Sequence, residues 1–113
     1  MIVHGKDRAF RLTVGASLAI ANLCPDGDLE RLDEALTGTY AKIVNTAVSV
    51  VLALQAGAED ARALDDPTYT PDYMTAAELL SLDPAEFKAV QQAAILAYNG
   101  DITPSIEVDS KKN

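Results

Sequence analysis

Two side chains in this sequence have the chemistry of a nucleophile or a general base, and no spacing joins them. His4 is the single histidine and Cys24 the single cysteine. They fall in different predicted elements. His4 reads as a surface residue of an N-terminal hairpin, and Cys24 as a small buried hydrophobe at a helix end. Asp26, Asp28 and Glu30 alternate as calcium ligands do. A calcium loop, however, needs glycine at its sixth position and a bidentate glutamate at its twelfth. Here Gly27 falls between the first two acids. Turn formation and helix capping account for both aspartates. Asp33-Glu34, Glu59-Asp60 and Asp65-Asp66 are neighbours in sequence and read as solvated helix faces and ends, not convergent acid–base pairs. There is no glycine-rich phosphate loop, zinc spacing or triad signature. The sequence predicts a non-catalytic chain without cofactor or metal.

Two features suit binding instead. Tyr69 and Tyr73 stand in a proline-containing loop, and tyrosine is favoured at interfaces. The edges of the N-terminal hairpin offer unpaired backbone groups for strand addition. The simpler expectation for each is structural: rings folded back on the core, and a hairpin that caps the helices.

The totals narrow the partners. The chain has 113 residues, enough for one small domain with a modest core. Its net charge is −8, with 9 Lys plus Arg against 17 Asp plus Glu. Nucleic acids and anionic membrane surfaces need clustered positive charge, so neither is expected as a partner. Met1 to Lys6 lacks the apolar core of a secretory signal. One cysteine makes no internal disulfide, which suits a reducing cytoplasm.

The elements that position these residues are mostly helical. Tyr40 to Leu64 is the centre. Ala47 to Leu54 is apolar except for Ser49, and Lys42 to Leu64 holds no proline. Its alanine content and length favour helix, although Val44, Val48, Val50 and Val51 are β-branched. A helix apolar nearly all round needs neighbours on more than one side. The uncharged stretch between Lys42 and Glu59 falls short of the roughly 20 residues that cross a bilayer, so no membrane span is expected.

Before it, Ile2–His4 and Ala9–Val14 read as strands joined through Gly5-Lys6-Asp7. Ala16–Cys24 reads as a helix that buries Leu18, Ile20 and Leu23. Asp28 caps a second helix, Leu29–Leu36, with Leu29, Leu32 and Leu36 on its apolar face. Thr39 is the expected cap of the central helix. After it, Asp65 to Tyr73 is a polar loop. Thr75 with Glu78, and Asp83 with Glu86, each form a capping-box pattern. The second opens a helix to Tyr98 with Phe87, Val90, Ala94 and Ala97 or Tyr98 on its apolar stripe. Asn99-Gly100 stops it. The expected architecture is mainly α with a short N-terminal β-hairpin, as one domain over 1–100 with a flexible tail over 101–113.

This order of features resembles the small tail assembly chaperones of long-tailed phages and prophages, especially those of Gram-positive hosts. The likeness runs along about the whole chain. It rests on the hairpin with Gly5-Lys6 before Phe10-Arg11-Leu12, then Leu23-Cys24-Pro25-Asp26-Gly27-Asp28-Leu29 and a leucine helix. After the long apolar helix come the Asp-Asp-Pro loop with Tyr69, the segment Thr75 to Leu82, and a last helix rich in Ala and Gln. The resemblance implies a non-catalytic factor of the host cytoplasm, absent from the mature virion. Such a factor binds the tape measure protein, keeps it soluble and helps tail tube subunits assemble around it.

The resemblance further implies contact with the tail tube protein, through a form extended by ribosomal frameshifting. Lys111-Lys112-Asn113 allows the codon run A AAA AAC, a slippery heptamer. Lysine codons that interrupt the run of A would remove this expectation. An ordinary charged tail is the alternative meaning.

A tape measure protein is a long helical chain with apolar stripes, which helix-in-groove packing would cover. The expected contact surface is the first helices and the open face of the central helix, with Leu18, Leu32 and Leu36 as candidates beside Tyr69 and Tyr73. Self-association is also expected, because a hairpin edge and an over-apolar helix both seek cover. The alternative function is a small structural or connector subunit of the phage particle.

Overall fold

The computed structural model describes residues 1–100, so the expected tail over 101–113, with Lys111-Lys112-Asn113, lies outside the described residues. The chain is mainly helical with a short N-terminal hairpin. In order it forms β1 (Ile2–Val3), β2 (Lys6–Asp7), α1 (Val14–Ala21), two 3-10 turns at Pro25–Gly27 and Leu29–Arg31, and α2 (Leu32–Ala35). Then come α3 (Tyr40–Asp65), α4 (Ala76–Leu80) and α5 (Pro84–Tyr98).

The axis is α3, a helix of 26 residues. The Thr39 side chain accepts from the Lys42 amide and caps its start, as expected. α1, α4 and α5 pack against it. Its Val48, Val51 and Leu54 meet Ile20, Leu79, Val90 and Ala94 in one apolar cluster. By length and composition α3 is also apolar enough to cross a membrane, which the charge-free count alone did not suggest.

The hairpin is shorter than expected. β1 pairs antiparallel with β2, placing Val3 opposite Lys6. His4 and Gly5 take φ of 49° and 79° and close a tight turn that the expected longer loop missed. Ala9 to Thr13 forms no strand, because it lies across α3. The Arg11 amide donates to the Leu54 carbonyl at 3.0 Å. Gly57 permits that approach: a Cβ there would lie 2.5 Å from the Arg11 carbonyl oxygen.

α1 begins at Val14 because Thr13 caps it, accepting from the Ala16 amide at 3.1 Å. It buries Ala16 and Ile20 but leaves Leu18 63 % exposed, and Leu23 beyond its end is exposed too. The expectation that Leu18 and Leu23 are buried is thereby corrected. The close contact at Gly57 turns the Ala16 face inward, and Leu18 falls on the other side. The expected helix over Leu29–Leu36 is a 3-10 turn followed by the four residues of α2, begun by Asp28, whose side chain accepts from the Glu30 amide.

Both capping boxes form as read from the sequence, Thr75 with Glu78 and Asp83 with Glu86, and Pro84 occupies the first turn of α5. Thr75→Ala and Asp83→Ala are each expected to cost about 1 kcal/mol. Urea unfolding followed by circular dichroism measures the loss.

Candidate partner-binding surface

The loop after α3 is held by a polar network that the apolar reading of α3 did not anticipate. Val51, Gln55 and Glu59 recur every four residues, so they share one face. Gln55 and Glu59 are nevertheless buried, at 1 % and 7 % exposure. Burial is tolerated because each is hydrogen-bonded to the loop. The Gln55 amide donates from Nε2 to the Asp72 carbonyl at 2.9 Å and accepts at Oε1 from the Met74 amide at 2.9 Å. Glu59 accepts from the Asp72 amide at 2.8 Å and from the Tyr69 hydroxyl.

From the other side, Arg8 is 4 % exposed. It donates to the Asp72 carbonyl and to Glu78 Oε1, both at 2.8 Å. Its Nε is buried without a partner among the described residues. Lys6 adds an exposed ion pair to Asp72 at 3.1 Å. His4 Nε2 sits 2.8 Å from the Glu78 carbonyl oxygen and 3.1 Å from Ser81 Oγ. Hairpin, loop and α4 are thus tied to one face of α3.

Both loop tyrosines are used internally. The Arg62 guanidinium lies 4.0 Å from the centre of the Tyr69 ring. The Glu59 carboxylate holds the Tyr69 phenol above its ordinary range. The Tyr73 hydroxyl donates to Asp60, which raises that phenol too, while half of the residue stays exposed. Cys24 is buried, and its thiol donates to the Ile20 carbonyl at 3.3 Å. Burial pushes that thiol up, away from the reactive thiolate. Among the described residues, no three His, Cys, Asp or Glu side chains are grouped to hold a metal ion.

The row of Gln55 and Glu59 runs back through Val51 to Ala47, both of them buried. Between α2 and α5 the first half of α3 forms the floor of an apolar groove. Leu32 and Leu36 make one wall, Ala47, Val50 and Val51 the floor, and Ala94, Ile95 and Tyr98 the other wall. The groove continues toward the start of α3 as a depression of about 280 Å³ between Tyr40, Val44 and Ala47 on α3 and Phe87, Lys88 and Gln91 on α5. Ala47 and Gln91 line both parts. Tyr40 is 77 % exposed and Ile95 44 % exposed at the edges. The reach from Tyr40 to Val51 is about 16 Å, or three turns of helix.

Of the residues singled out from the sequence, Leu32 and Leu36 thus come together on this groove. Leu18 does not line it. It stands with Val14 on the outer side of α1, both largely exposed. Tyr69 and Tyr73 lie on the clamped loop. On the α5 wall, Ala94 and Tyr98 belong to the expected stripe, and the sequence reading missed Ile95 between them. It also missed Arg8, for which the sequence holds no local signal, and Gln55 and Glu59, which the four-residue recurrence of polar side chains inside an apolar helix signals. No family model, curated protein or solved structure matches the chain.

Proposed function

We propose that this chain is a tail assembly chaperone of a long-tailed phage or prophage. It acts without catalysis in the host cytoplasm, binding the tape measure protein and keeping it soluble while the tail tube assembles. The observation that carries the reading is the apolar groove over the first half of α3, walled by Leu32 and Leu36 on one side and by the exposed Ile95 on the other. A tape measure chain exposes apolar helical stripes before the tube encloses it. A groove about three turns long fits a segment of such a stripe. The order of elements along the chain, and its resemblance to these chaperones, supports the same reading.

Co-expression with the tape measure protein of the same genome tests it. The tape measure protein is expected in the soluble fraction only with this chain, and the two are expected to co-purify. An insoluble tape measure protein, with this chain present in purified particles, would replace the chaperone with a structural subunit.

A further inference from the structure

The groove has an apolar floor and unequal rims. On the α2 side, Asp26, Asp28, Glu30, Asp33 and Glu34 outnumber two cations, Arg31 and Lys42, whose Nζ donates to the Glu34 carbonyl at 3.2 Å. Arg31 is already paired with Asp26 and Glu34 at 2.7 and 2.8 Å. Glu30 and Asp33 are exposed. Neither makes an ion pair among the described residues. Asp33 follows the groove residue Leu32 directly, and with burial and Cys24 it helps raise the phenol of Tyr98 on the opposite wall. The α5 rim is different. From Phe87 to Gly100 its one charged residue is Lys88.

We infer that the groove takes an amphipathic helix whose apolar stripe is edged by Lys or Arg along the side that lies against α2. This deepens the function proposed above and rests on it for the identity of the partner. The apolar stripe supplies burial against Leu32, Leu36 and Ile95, and the basic edge fixes which way round the helix lies. Charge at an interface rim sets partner choice and association rate more than affinity. Exposed carboxylates act strongly at low salt and fade beyond a Debye length.

The test uses the full chain and two fluorescent helical peptides of about eighteen residues, long enough to pass the groove at both ends. Their leucine stripes are identical. One carries Lys along one edge, and the other carries Glu there. Anisotropy titrations at low salt are expected to favour the Lys-edged peptide by about tenfold or more, with most of that preference gone near 0.5 M salt. Ile95→Glu is expected to weaken both peptides. The pair Glu30→Lys with Asp33→Lys is expected to remove or invert the preference. The pair Asp7→Lys with Asp65→Lys changes net charge equally, away from the rim, and is expected to keep it. Circular dichroism checks that each variant is folded.

Equal affinities would overturn the inference. So would an equal loss of preference in both charge-reversed pairs, or indifference to Ile95→Glu. A concentration-dependent dimer dissolved by Ile95→Glu would place a second copy in the groove and overturn it too. The two readings fail separately. A soluble tape measure protein with no peptide selectivity removes this inference alone. Selective peptide binding with an insoluble tape measure protein removes the chaperone reading alone.

Discussion

Gly57→Ala is expected to destabilise the protein by about 2 kcal/mol. A new Cβ would stand 2.5 Å from the Arg11 carbonyl oxygen, 3.0 Å from Thr13 Oγ1 and 3.2 Å from the Ala16 Cβ. The first of these is backbone and has no rotamer by which to retreat. Overpacking costs roughly 1–3 kcal/mol, and a rigid neighbour puts this site at the top of that range. Alanine returns up to about 1 kcal/mol through its helix propensity. The net loss corresponds to a fall in melting temperature of roughly 8–16 °C for a domain of this size. Gly15→Ala is the matched comparison. It also lies in a helix, but its nearest neighbour is Thr13 Oγ1 at 3.8 Å. Its melting temperature is expected to stay level or rise. Equal losses at both positions would mean that Arg11 to Ala16 does not lie against α3.

Arg8→Met is expected to cost about 2–3 kcal/mol. Methionine fills similar space but leaves the Asp72 carbonyl without its Arg8 donor and Glu78 without its cation. Breaking a fully buried ion pair costs about 3–5 kcal/mol. Here the Glu78 and Asp72 side chains are 26 % and 51 % exposed, so water recovers part of that. Lys6→Ala, which removes only an exposed pair, is expected to cost under about 1 kcal/mol.

The same cluster sets a pH dependence. Burial raises the Glu78 carboxyl, but hydrogen bonds from Arg8 and Thr75 outweigh it and hold the group below its ordinary value. Asp72 is lowered first by Lys6, then by Arg8. A carboxyl lowered by folding adds stability above its unfolded pKa, and that contribution is lost as pH falls through the folded pKa. Stability of the wild type is therefore expected to decline below about pH 4.5, from the ordinary glutamate value. The decline is expected to be shallower in Arg8→Met. Urea midpoints from pH 7 to pH 3 measure both slopes. Parallel slopes would detach Arg8 from this dependence.

The helices were legible in the sequence because their signals are local. Thr39, Thr75 with Glu78, and Asp83 with Glu86 each mark a helix start within four residues, and each forms as read. The hairpin was only half legible. Phe10, Leu12 and Val14 alternate as a strand would, but the Arg11 amide finds its acceptor on a helix 43 positions away. Thr13 then caps α1 and turns Val14 outward, to 79 % exposure.

Leu32 and Leu36 were legible as an apolar pair, and the groove beside them was not. Its far wall comes from Ile95 and Tyr98, and only tertiary packing brings α5 to that side of α3. The clamp on the loop was hidden for a similar reason. Gln55 and Glu59 interrupt the apolar pattern of α3, but their partners Asp72, Met74 and Tyr69 come from the loop that follows it.

Amide hydrogen exchange of this chain, alone and co-purified with the tape measure protein, tests the central claim most directly. Slowed exchange is expected at Leu32 to Leu36, in the first half of α3 and at Gln91 to Tyr98, with Val14 to Ala21 unchanged. Protection confined to α1 or to the hairpin, with the groove exchanging as in the free chain, would contradict it.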